Sequence, residues 1–359
     1  MTDPATGKHS YEYLLNNRIF MSLRNQQPPR ALDSWMQLCF PYRGFTSPAY
    51  YGFKIHPSHE GRSTGEEIVL MQGPKVALSP ITNAMSVDVE DHFHTEMMSR
   101  VIPRANWNHL PCRVEQSTQV LFEQFERAGV RGTFFFLGWV ADRFPALVRK
   151  AAQLGHEIAC HSYWHRQVNT LTPDQFREDT ARAKKTIEDA AGVRVIGYRA
   201  PSFSMIPGTE WAKEILSELG FLYDSSVHPI RHDLYGNHDA PRQPFRDKPA
   251  GLLEIPISTI RLFKNNYPFA GGGYFRLLPY GIVRWGIRQI NMRESMPAVF
   301  YIHPWEIDVV RPFLTNERKI MMRQYIRIGN TLRGLNQMTT EFPFAPISEV
   351  YRQSLHKDF

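Results

Sequence analysis

The stretch HEIACHSYWH, residues 156 to 165, places three histidines and a glutamate in ten positions. His161 and His165 stand four apart, a spacing that turns both side chains the same way on a helical turn. Two imidazoles and one carboxylate make up the three protein ligands of an open catalytic metal site, with a position left for water. Such a nitrogen and oxygen set suits Zn, Co or Ni and needs no thiolate. The three cysteines, Cys39, Cys112 and Cys160, form no CxxC pair, which argues against a disulfide framework or a cysteine zinc site. HxxxH alone is equally consistent with a polar surface turn, so its meaning depends on what else gathers beside it.

Other polar groups follow apolar stretches in the same manner. SVDVEDHFH brings Asp88, Glu90, Asp91, His92 and His94 to the end of one run. GYRAP brings Arg199, LYDSS brings Asp224 and FYIHPWE brings His303. Each has a bland reading: a solvated acidic turn, a surface arginine before proline, a satisfied core histidine. An arginine at a strand end also has the fork geometry to pin a carboxylate. Taken together, the bland readings require five coincidences.

The elements that must carry these groups alternate along the chain. ITNAMSVDVE, GTFFFLG, HEIACH, VRVIGYRAP and FLYDSS read as strands, and LLEIPIS and PAVFYIHP as two more. Between them, VEQSTQVLFEQFERAGV reads as a helix stopped at Gly129 and FPALVRKAAQLG as one ending at Gly155. TPDQFREDTARAKKTIEDAAG has Thr172 as N-cap, Pro173 next and Gly192 at its stop. TEWAKEILSELG and PYGIVRWGIRQI are further helices, and ERKIMMRQYIRIGNTLRGL reads as one last amphipathic helix. Strands alternating with helices of this length imply an α/β fold with a parallel sheet, closed or nearly closed into a β/α barrel. Chemistry on such a barrel gathers at the C-terminal ends of the strands.

Residues 1–80 differ. QQPPRALDS, CFPYRGFTSPAYYG and HPSHEGRSTGEE are rich in Pro, Gly and Ser without sustained periodicity, so an N-terminal extension, poorly ordered, is expected there. The 359 residues carry a formal charge of +7, with 42% hydrophobic and 21% charged residues. These are ordinary globular values with room for a sizeable core. Lys and Arg are scattered without a basic block, which argues against nucleic acid as a partner. No apolar run reaches the roughly 20 residues of a transmembrane helix. The N-terminus also lacks the form of a secretory signal, so the expectation is a cytoplasmic protein.

With SVDVED, HSYWH, RAP, YDSS and YIH in that order, the chain resembles the polysaccharide deacetylases, carbohydrate esterase family 4, over about residues 81–310. The acidic motif departs from the commoner TFDDG form. DVEDHF, GGGYFRLLP and HPWE resemble the subgroup found with bacterial exosortase and exopolysaccharide systems. The resemblance implies a distorted (β/α) barrel over 81–310, with 311–359 as a C-terminal helical segment closing the domain. It implies removal of N-acetyl groups from N-acetylhexosamine units of a polysaccharide or its lipid-linked precursor. It also implies Asp88 as the base and a following acid, Glu90 or Asp91, as the metal carboxylate beside His161 and His165.

On that reading one divalent ion, expected to be Zn with Co or Ni as alternatives, polarises the acetyl carbonyl and a water. Arg199 holds Asp88 ionised, and His303, oriented by Asp224, protonates the leaving amine. Tyr274 and Phe275, beside three glycines, and Trp305 are candidates for stacking on a sugar ring. Partners are then an N-acetylated polysaccharide or lipid-linked oligosaccharide, with peripheral association with membrane-bound polysaccharide machinery. The rival readings are a deformylase or amidase on another sugar or small amide, a catalytically inactive carbohydrate-binding protein, and a basic RNA-binding protein.

Overall fold

The structure, a computed structural model, describes residues 80–356 except 233, 234 and 249. The expected N-terminal extension therefore lies, but for its last residue, outside the described residues. From Asn83 onward the chain alternates as its pattern predicts. The strands are β1 (Asn83–Val89), β2 (Thr133–Phe136), β3 (Glu157–Cys160), β4 (Gly197–Tyr198), β5 (Tyr223–Asp224), β6 (Phe245–Arg246) and β7 (Leu253–Glu254). They continue with β8 (Thr259–Leu262), β9 (Asn265–Pro268), β10 (Val299–Ile302) and β11 (Phe344–Ala345).

Hydrogen bonding runs in the order β10-β1-β2-β3-β4-β5-β7-β6, with β11 alongside the start of β1. Every pair is parallel except β6 with β7. The strands curl into an open half-barrel, the distorted barrel expected, and the pairing path does not close on itself among the described residues. β2 is the uninterrupted apolar run TFFF because both of its faces are covered. Phe134 meets Phe122 and Phe125 of the helix Val114–Ala128, while Phe135 lies under the Arg199 guanidinium.

Helices stop where the sequence places their stops. Gly129 and Gly192 end Val114–Ala128 and Pro173–Ala191 in the left-handed conformation, at φ 63° and 70°, which glycine adopts without a Cβ penalty. Thr172 and Gln175 form a reciprocal capping box at the start of the second helix.

Three stretches differ from expectation. STIRLFKNNYPFA holds an antiparallel hairpin, β8 with β9, which the sequence reading left unassigned. VRVIGYRAP and FLYDSS contribute only two paired residues each. The tail is two helices, Arg318–Tyr325 and Asn330–Glu341, with Arg327 between them at φ 50°. A non-glycine residue at positive φ cannot continue a right-handed helix, so the amphipathic run breaks there. No helix of the described residues is long and apolar enough to cross a membrane.

His156, the first residue of the histidine-rich stretch, belongs to this framework. Its ring stacks on Phe122 and sits against Phe125 and Phe134, and its Nδ1 accepts the Gly132 N–H at 3.3 Å. Burial, with a smaller contribution from Arg131, pushes its pKa down from 6.5 to about 4. The folded state thus prefers the neutral ring. The stability this contributes is complete above pH 6.5 and is lost as pH falls towards 4. The full effect is on the order of 3 kcal/mol. The melting-temperature gap between the parent and His156→Phe should therefore shift in favour of the variant as pH drops across that window. A gap independent of pH would contradict this assignment.

Candidate active site

The parallel strands deliver their C-terminal ends to one rim, and the polar residues follow from there. Alternation along β1 sends Ser86 and Asp88 to the same face, where Arg199 Nη1 reaches both, at 2.8 Å and 2.6 Å. Arg199 follows β4, is fully buried, and also donates to the Ser225 carbonyl and hydroxyl at 3.0 Å each. All three nitrogens of its fork therefore donate, as a buried cation requires.

His161 follows β3 directly, its N–H still bonded to Phe136 O at 2.8 Å. His165 comes round by a loop, where the sequence reading expected a helical turn. Ser162 and His165 both have positive φ, 62° and 50°, and these two reversals turn the second imidazole back towards the first. Ser162 Oγ accepts the His165 N–H, and the buried Asp179 carboxylate accepts the Tyr163 N–H at 2.7 Å. The rings end 5.3 Å apart, centroid to centroid.

Glu90, one residue beyond β1, completes the group. Ligand atoms of Glu90, His161 and His165 all lie within 4.8 Å of one another, and all three residues are buried. Their environment fits a cation. His161 Nδ1 faces the Arg199 carbonyl at 2.8 Å, which sets the Nδ1–H tautomer and frees Nε2 as a ligand. Glu90 Oε2 lies 2.8 Å from His165 Nε2, so the two potential ligand atoms face each other directly. Three potential ligand atoms converge there, as a shared ion requires. Burial would raise the Glu90 pKa, but His165, His303 and His161 outweigh it and hold the carboxylate well below its usual range. Burial pushes His161 down to about 4, so the ring is neutral and able to ligate near neutral pH. Cys112 and Cys160 are free thiols outside this cluster, and Cys39 lies outside the described residues.

Asp91, the alternative metal carboxylate, is spent elsewhere. Its oxygens accept the backbone N–H groups of His92, Arg113 and Val114, and Oδ1 lies 2.6 Å from His92 Nδ1. It caps the turn His92–His94 and ties it to the start of the helix Val114–Ala128. The chain leaves β1 at Val89, so adjacency in sequence no longer says where an acid points.

His303 follows β10, with Nε2 3.9 Å from Asp88 Oδ2 and 3.7 Å from Glu90 Oε1. Its orienting acid is Glu306 rather than Asp224: Glu306 Oε2 lies 3.0 Å from His303 Nδ1 and also accepts the His303 N–H. Arg276 Nε, 2.8 Å from Glu306 Oε1, secures that carboxylate. Asp224 is buried against Ser226, and burial together with Glu254 raises its pKa well above the carboxylate range. Sequence reasoning missed Glu306, although HPWE carries the signal of an acid three residues after a turn-starting position, with proline first inside the turn. It also missed Arg276, Ser86 and Ser225.

The aromatic candidates separate. Trp305 stacks on His303 at 5.0 Å and donates its N–H to Glu90 Oε1 at 3.1 Å, so it links the two halves of the site. Phe275 is core, packed on Phe300 and beside Gly334. Tyr274 is partly exposed and its ring lies 6.4 Å from His228. GGGYFR is the short helix Gly272–Leu277. Its glycines admit Tyr301, whose backbone oxygen would lie 2.0 Å from a Cβ on Gly271.

These placements separate the two acids experimentally. Glu90→Gln should lower retained zinc by at least about tenfold with little change in melting temperature. Asp91→Ala should keep the zinc and cost roughly 2 kcal/mol of stability. The opposite pattern, measured by metal analysis and denaturant unfolding, would reassign the ligand.

Two family models match the chain. Residues 106–223 match the family model for polysaccharide deacetylase, and residues 225–352 match a domain of unknown function, DUF3473. The first match contains His161, His165 and Arg199, and the second contains His303, Glu306 and Arg276. The peptidoglycan deacetylase-like protein FGM2 of Gibberella zeae is 30% identical over 117 residues, covering 32% of this chain and 34% of the relative. The peptidoglycan-N-acetylglucosamine deacetylase of Bacillus cereus is 28% identical over 98 residues, covering 27% and 36%. The matched region thus spans about a third of these relatives. A Mycobacterium smegmatis protein described as a polysaccharide deacetylase shares the fold, with a TM-score of 0.50 at 22% identity over 77% of this chain and 94% of that one. Over residues 106–223 the chain is therefore similar to polysaccharide deacetylases.

Proposed function

We propose that this protein is a metal-dependent hydrolase that removes N-acetyl groups from N-acetylhexosamine units of a polysaccharide or its lipid-linked precursor. The observation that carries this reading is the placement of Asp88 and His303 together beside the Glu90, His161 and His165 cluster. A carboxylate fixed by Arg199 and an imidazole fixed by Glu306 face each other at 3.9 Å beside the ligand group.

Amide hydrolysis needs a deprotonated water, a stabilised oxyanion and a proton for the departing nitrogen. A divalent ion held by the three ligands, with zinc the best fit to an all-nitrogen-and-oxygen set, would supply Lewis acidity to the carbonyl and acidify a bound water. Asp88 takes the proton from the attacking water, and the Arg199 guanidinium at 2.6 Å holds the carboxylate in place. Glu306 holds the proton on His303 Nδ1, which leaves Nε2 directed to the reacting region. Burial would lower the His303 pKa, but Glu306, Glu90 and Asp88 push it up to about 9. The ring therefore carries a proton near neutrality, to be given to the amine as the carbon–nitrogen bond breaks. Acetate and a free hexosamine amine are the products.

The setting in bacterial exopolysaccharide biosynthesis is part of the same proposal. The DVEDHF, GGGYFRLLP and HPWE motifs and the DUF3473 match beside the deacetylase match support it. Arg276 of the second motif and Glu306 of the third meet beneath His303, so these motifs have a joint purpose in the site.

Asp88→Asn should reduce deacetylation of an N-acetylglucosamine oligomer by roughly a thousandfold while leaving the bound metal unchanged. Acetate release measured against metal content reads both at once. A variant that keeps most of its turnover would remove Asp88 from the role of base.

A further inference from the structure

Three residues past Glu306 the chain leaves the active-site rim and presents apolar side chains to solvent. Val309, Val310 and Phe313 are 56%, 59% and 66% exposed, and Met322 is 46% exposed. Apolar residues standing singly on a surface need no explanation, but four exposed within fourteen positions of chain are a local concentration.

The segment is built to hold them outward. Arg311 is buried beneath it, donates to the carbonyls of Trp305 and Gln324, and lies over the rings of Trp305 and Tyr325 at 4.9 Å and 4.2 Å. The Tyr325 hydroxyl donates to Pro312 O at 2.6 Å, and Phe313 packs on the Tyr325 ring. Gln324 in turn donates to Thr95 Oγ1 at 2.8 Å. At its start, Asp308 is paired with Arg113. The segment is therefore anchored to the same turns that carry Trp305 and Asp91.

Its charge identifies the partner. The helix Arg318–Tyr325 exposes Arg318, Lys319 and Arg323 beside the apolar residues, and Arg327 follows. Glu317 is the single acid between Val309 and Arg327. Apolar side chains bordered by cations match the two layers of an anionic bilayer surface, acyl chains below and phosphates above. A two-fold contact between copies through this face would set the same cations against their own images, which disfavours a dimer.

We propose that residues 309–327 dock the protein peripherally on an anionic lipid bilayer, with the catalytic rim beside the membrane surface. This inference does not depend on the reaction catalysed. It is tested on the full chain by co-sedimentation with phosphatidylcholine vesicles, with and without phosphatidylglycerol. The parent should bind the mixed vesicles, release from them at high salt, and leave the neutral ones largely unbound. The triple variant Val309→Ser/Val310→Ser/Phe313→Ser should lose binding by roughly tenfold or more. Arg318→Glu/Lys319→Glu should lose it comparably, and both variants should keep the parent's metal content and melting temperature. Failure of the parent to bind mixed vesicles would overturn the proposal. So would undiminished binding by both variants, or a parent dimer by light scattering that the triple variant dissociates.

Discussion

Arg199 is a fully buried guanidinium, and the site is organised around its need for partners. An unpaired cation in that position would be prohibitive, so the sheet surrounds it with Asp88 and Ser86 from β1 and Ser225 beyond β5. Its backbone carbonyl takes the His161 ring N–H, so the same residue sets the position of Asp88 and the tautomer of a ligand. Phe135 beneath the guanidinium seals it from water. One residue therefore couples Asp88, His161 and three strands, and a displacement there is felt in all of them.

The second half of the site is built by a different stretch of chain under the same rule. Glu306 is buried completely and is held by Arg276 on one oxygen and His303 on the other. Burial raises its pKa, yet Arg276 and His303 more than offset this and keep it ionised. Trp305 closes the junction by covering His303 and donating to Glu90. The deacetylase-matched region contains His161, His165 and Arg199, and the DUF3473-matched region contains His303 with its supports. The second region thus meets the first at the candidate site.

Much of this was legible in the residues. Strand ends marked by apolar runs placed Asp88, Glu90, His161, Arg199 and His303 on one rim, because parallel strands share a polarity. Thr172, Gly129 and Gly192 marked helix ends through local backbone chemistry. What failed depended on geometry beyond the elements. Asp91 looked equivalent to Glu90 until the chain turned at Val89 and committed it to three backbone N–H groups. Asp224 lost its expected partner to Glu306, which sits within the same turn as His303 and needs no long-range contact to reach it. Phe275 went to the core because the glycines before it fold closely around Tyr301, a contact between distant parts of the chain. His161 and His165 met as expected, though through two left-handed residues that no helical spacing describes.

The central claim is that Glu90, His161 and His165 hold one metal ion without sulfur. X-ray absorption of the zinc-reconstituted protein tests it most directly. The account predicts a first shell of nitrogen and oxygen at about 2.0–2.1 Å with the outer-shell signature of two imidazoles. That signature should disappear in His161→Ala/His165→Ala. A sulfur shell at about 2.3 Å, or a spectrum the double variant leaves unchanged, would place the metal elsewhere and contradict the account.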